Sequence, residues 1–318
     1  MINLRYHVAS LIAVFLALGL GIVAGTTFVS PETVRALKNS FNALDSRDRT
    51  LQSQNNDLAQ ANTAVLRWAK ASRDLLVQGK LHGRPAVLVS FDTTPGGEAA
   101  EMASTLVGAG AKLQGSFVLS SSLALADDAS RQAAAAVVGS GVSSADALQA
   151  AIARQLADSL AGKTPGVLQR LMDAGLASPG PGVAGDAQQP PATLAVTGSA
   201  IVILAPGQPP AGARAAPDLG KAIIMPVVRN LSAVPVPVLV AVGEDGSSSL
   251  PVLGPIRQDA SLRVVTADSA DQPMGQAGIV LGLAAALTTN AWGSYGLGSG
   301  ATAPLPSPQP SASPTGAK

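Results

Sequence analysis

The apolar positions of this chain change period abruptly. Val8 to Val29 is a run of 22 residues with no charged side chain. As a helix it would extend about 33 Å, enough for a hydrocarbon core of roughly 30 Å. Leu37, Leu44, Leu51, Leu58 and Val65 then recur every seven positions. Together the two patterns predict a transmembrane anchor over residues 1–30 and a coiled-coil stalk over 31–79.

Small residues fall at every fourth position of the anchor: Ala9, Ala13, Ala17, Gly21 and Gly25. Gly21 and Gly25 form a G-x-x-x-G, so Ala13, Ala17, Gly21 and Gly25 are candidates for close packing of two membrane helices. A cleaved signal peptide competes for the segment, with Ile22-Val23-Ala24 as its small-residue exit. The apolar run exceeds the roughly 7–15 residues of a signal core, which favours an uncleaved anchor.

A new helix is expected to start at Ser30 as N-cap, with Pro31 at its first position and Glu32 in its first turn. With the leucines at heptad position d, position a holds Val34, Phe41, Asp48, Asn55 and Asn62. Apolar d positions with Asn at a are the pattern of a parallel two-stranded coiled coil, in which buried Asn sets register. The expected dimer interface is Val34, Leu37, Phe41, Leu44, Leu51, Asn55, Leu58, Asn62 and Val65. A single amphipathic helix lying on the following domain is the alternative. Strict spacing and a polar remaining surface (Ser46-Arg47-Asp48-Arg49, Gln52-Ser53-Gln54) favour the homodimer. The helix should end near Gln78, before Gly79, Gly83 and Pro85.

Beyond Pro85 short buried-type apolar runs alternate with helical stretches. Strands are expected at Ala86–Phe91, Leu113–Leu119, Ile201–Ala205, Pro237–Val242 and Leu262–Thr266, and helices at Glu98–Val107 and Gly275–Leu287. Strands alternating with helices predict an α/β domain over 85–296 with a mostly parallel sheet covered by helices. Residues 124–176 look like a helical insertion, with Ser143 and Asp146 as a capping box before Leu148, Ile152, Leu156 and Leu160. Ser178–Ala192 is expected as a loop, and 297–318 as a disordered Pro/Ser-rich tail.

Of the 318 residues, 47% are hydrophobic and 13% charged, and the net charge is +1. No basic stripe with interleaved aromatics is present, which leaves nucleic-acid binding without support. With no cysteine, disulfides, thiolate metal sites and thiol catalysis are excluded. Arg5 precedes the anchor and Arg35 and Lys38 follow it, so charge alone does not set the orientation. The tail is of a kind common on exported chains, and the large domain is expected on the extracytoplasmic side of the cell membrane.

Carboxylates follow the expected strands: Asp92, then Glu244 and Asp245, then Asp268 and Asp271. Ligands of such sheets sit beyond the carboxyl ends of the strands. Asp92, Glu244, Asp268 and Asp271 are therefore a candidate polar-ligand site, set against the role of Asp as a turn and cap residue. Pro95-Gly96-Gly97 matches neither the dinucleotide nor the phosphate-loop signature. His7 and His82 are the two histidines, and Met102, Met172, Met225 and Met274 are scattered singly. That donor set assembles neither a copper relay nor a catalytic triad. No catalytic residues and no cofactor are expected, no metal site is assigned, and the chain is expected not to be an enzyme.

The opening Met1-Ile2-Asn3-Leu4-Arg5-Tyr6-His7-Val8-Ala9-Ser10, the Ala86–Asp92 strand, Val264-Val265-Thr266-Ala267-Asp268-Ser269-Ala270-Asp271 and Trp292-Gly293-Ser294-Tyr295-Gly296 resemble the MctB family. This is the actinobacterial copper transport outer membrane protein family, named for mycobacterial copper transport protein B. The resemblance implies copper transport or copper homeostasis. For some relatives it implies a role in envelope integrity and cell separation beside a membrane-bound partner. A pore through an outer membrane would need a closed barrel of strands about 9–11 residues long, which the buried-type α/β pattern does not supply. Two expectations follow: a non-enzymatic, membrane-anchored envelope dimer linked to copper by family, or an envelope scaffold positioning a partner in peptidoglycan remodelling.

Overall fold

An uncharged run and a heptad give helices of different character. The computed structural model describes residues 4–27, 31–139, 141, 144–182, 199–206, 218–243 and 252–307. The chain divides into two units, Met1–Val65 and Leu66–Lys318. In the first, helix α1 (Leu4–Thr27) contains a stretch, Arg5–Gly25, of mean hydropathy 2.5, long and apolar enough to cross a membrane. Helix α2 (Pro31–Val77) opens with Pro31 at its first position and Glu32 in its first turn. Its 47 residues correspond to about 70 Å. Ser30, the expected N-cap, lies outside the described residues.

The second unit begins within α2. Past Val77 the backbone turns through Gly79 (φ +71°) and Gly83 (φ +69°), conformations that side chains with a Cβ disfavour. This sets up strand β1 (Pro85–Phe91). Then follow helix α3 (Gly96–Gly108) and strand β2 (Lys112–Leu119). Helices α4 (Asp128–Val138), α5 (Ala145–Leu160) and α6 (Val167–Asp173) occupy the expected insertion. The chain continues through β3 (Ala177–Pro179), β4 (Ala200–Ala205), α7 (Met225–Ser232), β5 (Val238–Val242), α8 (Leu253–Gln258), β6 (Val265–Ala267), α9 (Pro273–Thr289) and β7 (Ser294–Tyr295).

The strands form one sheet in the order β3-β2-β1-β4-β5-β6-β7. Every pairing is parallel except β2 with β3. Alternation along the buried strands sends side chains to two cores. Val87, Val89, Ile201, Ile203, Val238 and Val240 join residues of α4–α8 in one. Ala86, Leu88, Val202, Leu204, Leu239 and Ala241 join α3, α9 and the end of α2 in the other. The result is a three-layer α/β arrangement whose connections reverse direction between β1 and β4.

Differences from the sequence reading have local causes. Ser178-Pro179, expected within a loop, belongs to β3, because Ser178 and Ala177 find partners in Val118 and Leu119 of β2. The β6 pairing is displaced toward Ala267 relative to the expected Leu262–Thr266 run. Ser143 lies outside the described residues, and the cap seen on α5 is Ser144, whose side chain accepts from the Ala147 N–H at 3.4 Å. A full capping box occurs instead on α4, between Asp127 and Ser130. These bonds favour the charged carboxylate and hold the Asp127 pKa below its usual range. Of the expected tail, residues 308–318 lie outside the described residues. Residues 297–307 turn back on the sheet: the Thr302 N–H donates to Ser294 O (2.7 Å), and Leu305 packs on the α3/α9 core.

Candidate functional site

The heptad surface of α2 is the largest set of sequence-singled residues that the fold leaves available. Val34 (51% exposed), Leu37, Phe41 (72%), Leu44, Leu51, Leu58 and Val65 all stand open on the single chain. Asn55 and Asn62 are exposed on the same helix. Soluble helices normally bury such a stripe, and covering one leucine fully is worth about 1.5–3 kcal/mol. Along α1, Ala13, Ala17, Gly21 and Gly25 are likewise exposed, and a Cβ at Gly21 or Gly25 would meet nothing within 4 Å.

The acidic strand ends do not converge. Asp92 directly follows β1 and Asp268 directly follows β6, with β4 and β5 between those strands. Three strand spacings separate those columns by roughly 14 Å. Glu244 and Asp245 lie outside the described residues, and Asp271 is exposed, accepting from the Gln272 side chain at 2.8 Å. Asp92 is occupied as a tie between strand ends: it accepts from the Ser121 N–H (2.9 Å), the Ser121 hydroxyl (3.0 Å) and the Ser120 hydroxyl (3.2 Å). Among the described residues, no group of three or more His, Cys, Asp or Glu could hold a metal ion.

Asp268 is fully buried and has a partner that spacing did not indicate. Arg257, near the end of α8, places Nη2 2.9 Å from Asp268 Oδ2, and the two side chains are 3% and 0% exposed. The carboxylate also accepts from the Leu297 N–H (2.7 Å), the Gly298 N–H (3.1 Å) and the Ser269 hydroxyl (3.1 Å). Arg257 completes its own set on Thr266 Oγ1 (3.1 Å), Tyr295 O (3.0 Å) and Ser299 O (2.8 Å). This network fastens the 294–299 segment to the end of the sheet. Its neighbour Tyr295 is largely buried, and that desolvation raises the phenol pKa above its ordinary value of 10.0.

Other charged contacts escaped the sequence reading because burial, not spacing, creates them. Arg73, 7% exposed in the last turns of α2, donates to the buried Gln276 side chain of α9 and to Glu101 (3.2 Å). Gln276 passes the connection on to Ala270 O at 3.1 Å. Glu98, in the first turn of α3, is buried against Gly243, where a Cβ would strike its carboxylate.

Two comparisons bear on this architecture. The family model described as copper transport outer membrane protein, MctB, matches residues 1–306. No curated protein matches the chain.

Proposed function

The chain belongs to the MctB family of copper transport outer membrane proteins, and from that premise we propose that it is a membrane-anchored, non-enzymatic homodimer of the cell envelope. In this reading α1 spans the membrane once and α2 pairs with its copy as a parallel coiled coil. The α/β domain is held on the extracytoplasmic side. The observation that carries the proposal is the open stripe from Val34 to Val65 on an otherwise polar helix. Asn55 and Asn62 at a positions favour two strands in register. In sedimentation of the full chain in detergent, the parent should have dimer mass and a Leu44→Asp/Leu51→Asp variant should be monomeric. A monomeric parent at concentrations well above micromolar would remove the stalk's role.

Copper enters this proposal through the family. Copper is cargo in that description, and the chain's donor set of two histidines, five methionines and no cysteine is sparse for binding it. A clean deletion strain should accumulate copper and become copper-sensitive; unchanged copper content and tolerance would exclude the transport role. The second reading is an envelope scaffold that positions a partner in cell separation and peptidoglycan remodelling. It is favoured by the occupied state of Asp92 and Asp268, whose hydrogen bonds serve the fold. Deletion should then leave daughter cells attached, and normal separation with no crosslinked envelope partner would rule it out. If Asp92 and Asp268 nevertheless serve a ligand, their Asn variants will lose ligand-dependent phenotype while keeping the fold.

A further inference from the structure

A cleft of about 770 Å³ opens at the amino ends of the strands, opposite the edge where ligands of such sheets are usually sought. Its volume falls in the range of small-molecule sites. Arg84, just before β1, and Arg263, just before β6, both line it and both are exposed. The backbone carrying Arg84 is fixed on both sides: its N–H donates to Leu81 O (2.9 Å), and its carbonyl accepts from the Lys112 N–H (2.8 Å). Among the described residues no Asp or Glu contributes to the wall, and neither guanidinium has a carboxylate partner.

Two further features narrow the chemistry. The half-buried indole of Trp292 forms part of the wall. The last turn of α9 also faces the cleft, and Asn290 caps it in the left-handed region (φ +54°). A helix C-terminus presents unpaired carbonyl oxygens and partial negative charge. Such an end repels a bare anion but accepts hydrogen bonds from hydroxyls. Guanidinium groups, by contrast, take carboxylate or phosphate oxygens through charge-assisted pairs. A ligand satisfying all three elements has hydroxyl donors, an apolar face for the indole and an anionic group.

We propose that this cleft binds an anionic carbohydrate, a hexose carrying a carboxylate or a phosphate, with its charge on Arg84 or Arg263, its hydroxyls at the α9 terminus and its ring against Trp292. The site is independent of stalk pairing and of copper. Its test uses the full chain in a detergent without a sugar headgroup. Trp68→Phe leaves Trp292 as the single remaining tryptophan, so emission reports the cleft. Glucose 6-phosphate and glucuronic acid are titrated beside glucose and inorganic phosphate. At least one charged sugar should give a saturable change, with glucose and inorganic phosphate about ten-fold weaker or more. Arg84→Gln or Arg263→Gln should weaken it by a similar factor at an unchanged melting temperature, since both side chains are exposed. Three results would each overturn the proposal: no saturable response to either charged sugar, an equal response to inorganic phosphate, or undiminished affinity in both arginine variants. The response to glucose 6-phosphate against glucuronic acid identifies which anionic group the cleft prefers.

Discussion

Arg257 and Asp268 form a sealed ion pair, Nη2 to Oδ2 at 2.9 Å, at the carboxyl end of β6. Among the described residues the charge of each is balanced only by the other, and the remaining lone pairs and protons are spent on backbone groups of 294–299 and on Thr266 and Ser269. Breaking one side of such a pair strands the other charge in a medium that cannot solvate it. Arg257→Met should therefore cost about 3–5 kcal/mol in denaturant unfolding, and Asp268→Ala a comparable amount. Proteolysis should reach the 294–299 segment before the rest of the domain. A loss below about 1 kcal/mol for both variants would mean the pair is solvated in the working protein.

Two glycines in helices of this domain separate packing from propensity. A Cβ at Gly275, in the first turn of α9, would run into the Ser269 carbonyl, a backbone atom with no rotamer to give way. Gly97 in α3 has nothing within 4 Å of the same position. Gly275→Ala should lower the melting temperature strongly, whereas Gly97→Ala should gain about 0.4–1 kcal/mol by restricting the unfolded chain. Equal effects at the two sites would contradict the close approach at Gly275.

These sites also mark what the sequence made visible. Strands β1, β4 and β5 were readable because each is an apolar run buried on both faces and bounded by turn residues such as Asp92-Thr93 and Pro237, whereas the mostly half-buried β2 carries polar residues and a glycine before its apolar end at Phe117–Leu119. Strand β3, three residues ending in Pro179, and β7, two residues between glycines, carry no periodicity; their pairing comes from neighbours distant in sequence. Asp268 was recognisable as a strand-end carboxylate. That it is consumed by Arg257 was not, because the pairing depends on α8 folding over β6. The same holds for Arg73 and Gln276, which are 203 residues apart in sequence.

Burial of Tyr295 makes a pH statement. Its pKa lies above the ordinary 10.0 in the folded chain, so the folded state holds the phenol proton more tightly than the unfolded state does. The associated stability is complete below pH 10 and is lost as pH rises through the folded value. Tyr6→Phe leaves a single phenol. Its spectrophotometric titration should have a midpoint above 10 in the native chain and near 10 in denaturant. Coincident midpoints would show that the ring is solvated.

The central claim is that α2 pairs two chains in parallel along the Val34–Val65 stripe. Because the natural chain has no cysteine, one introduced thiol reports directly on its copy. In a parallel, in-register pair, Leu37→Cys and Leu58→Cys each place identical residues face to face, and oxidation of the full-length protein in membranes should give a covalent dimer from both. Ser46→Cys, on the outer face of the same helix, should stay monomeric. Monomer from both leucine positions, or crosslinking as efficient at position 46, would contradict the paired stalk.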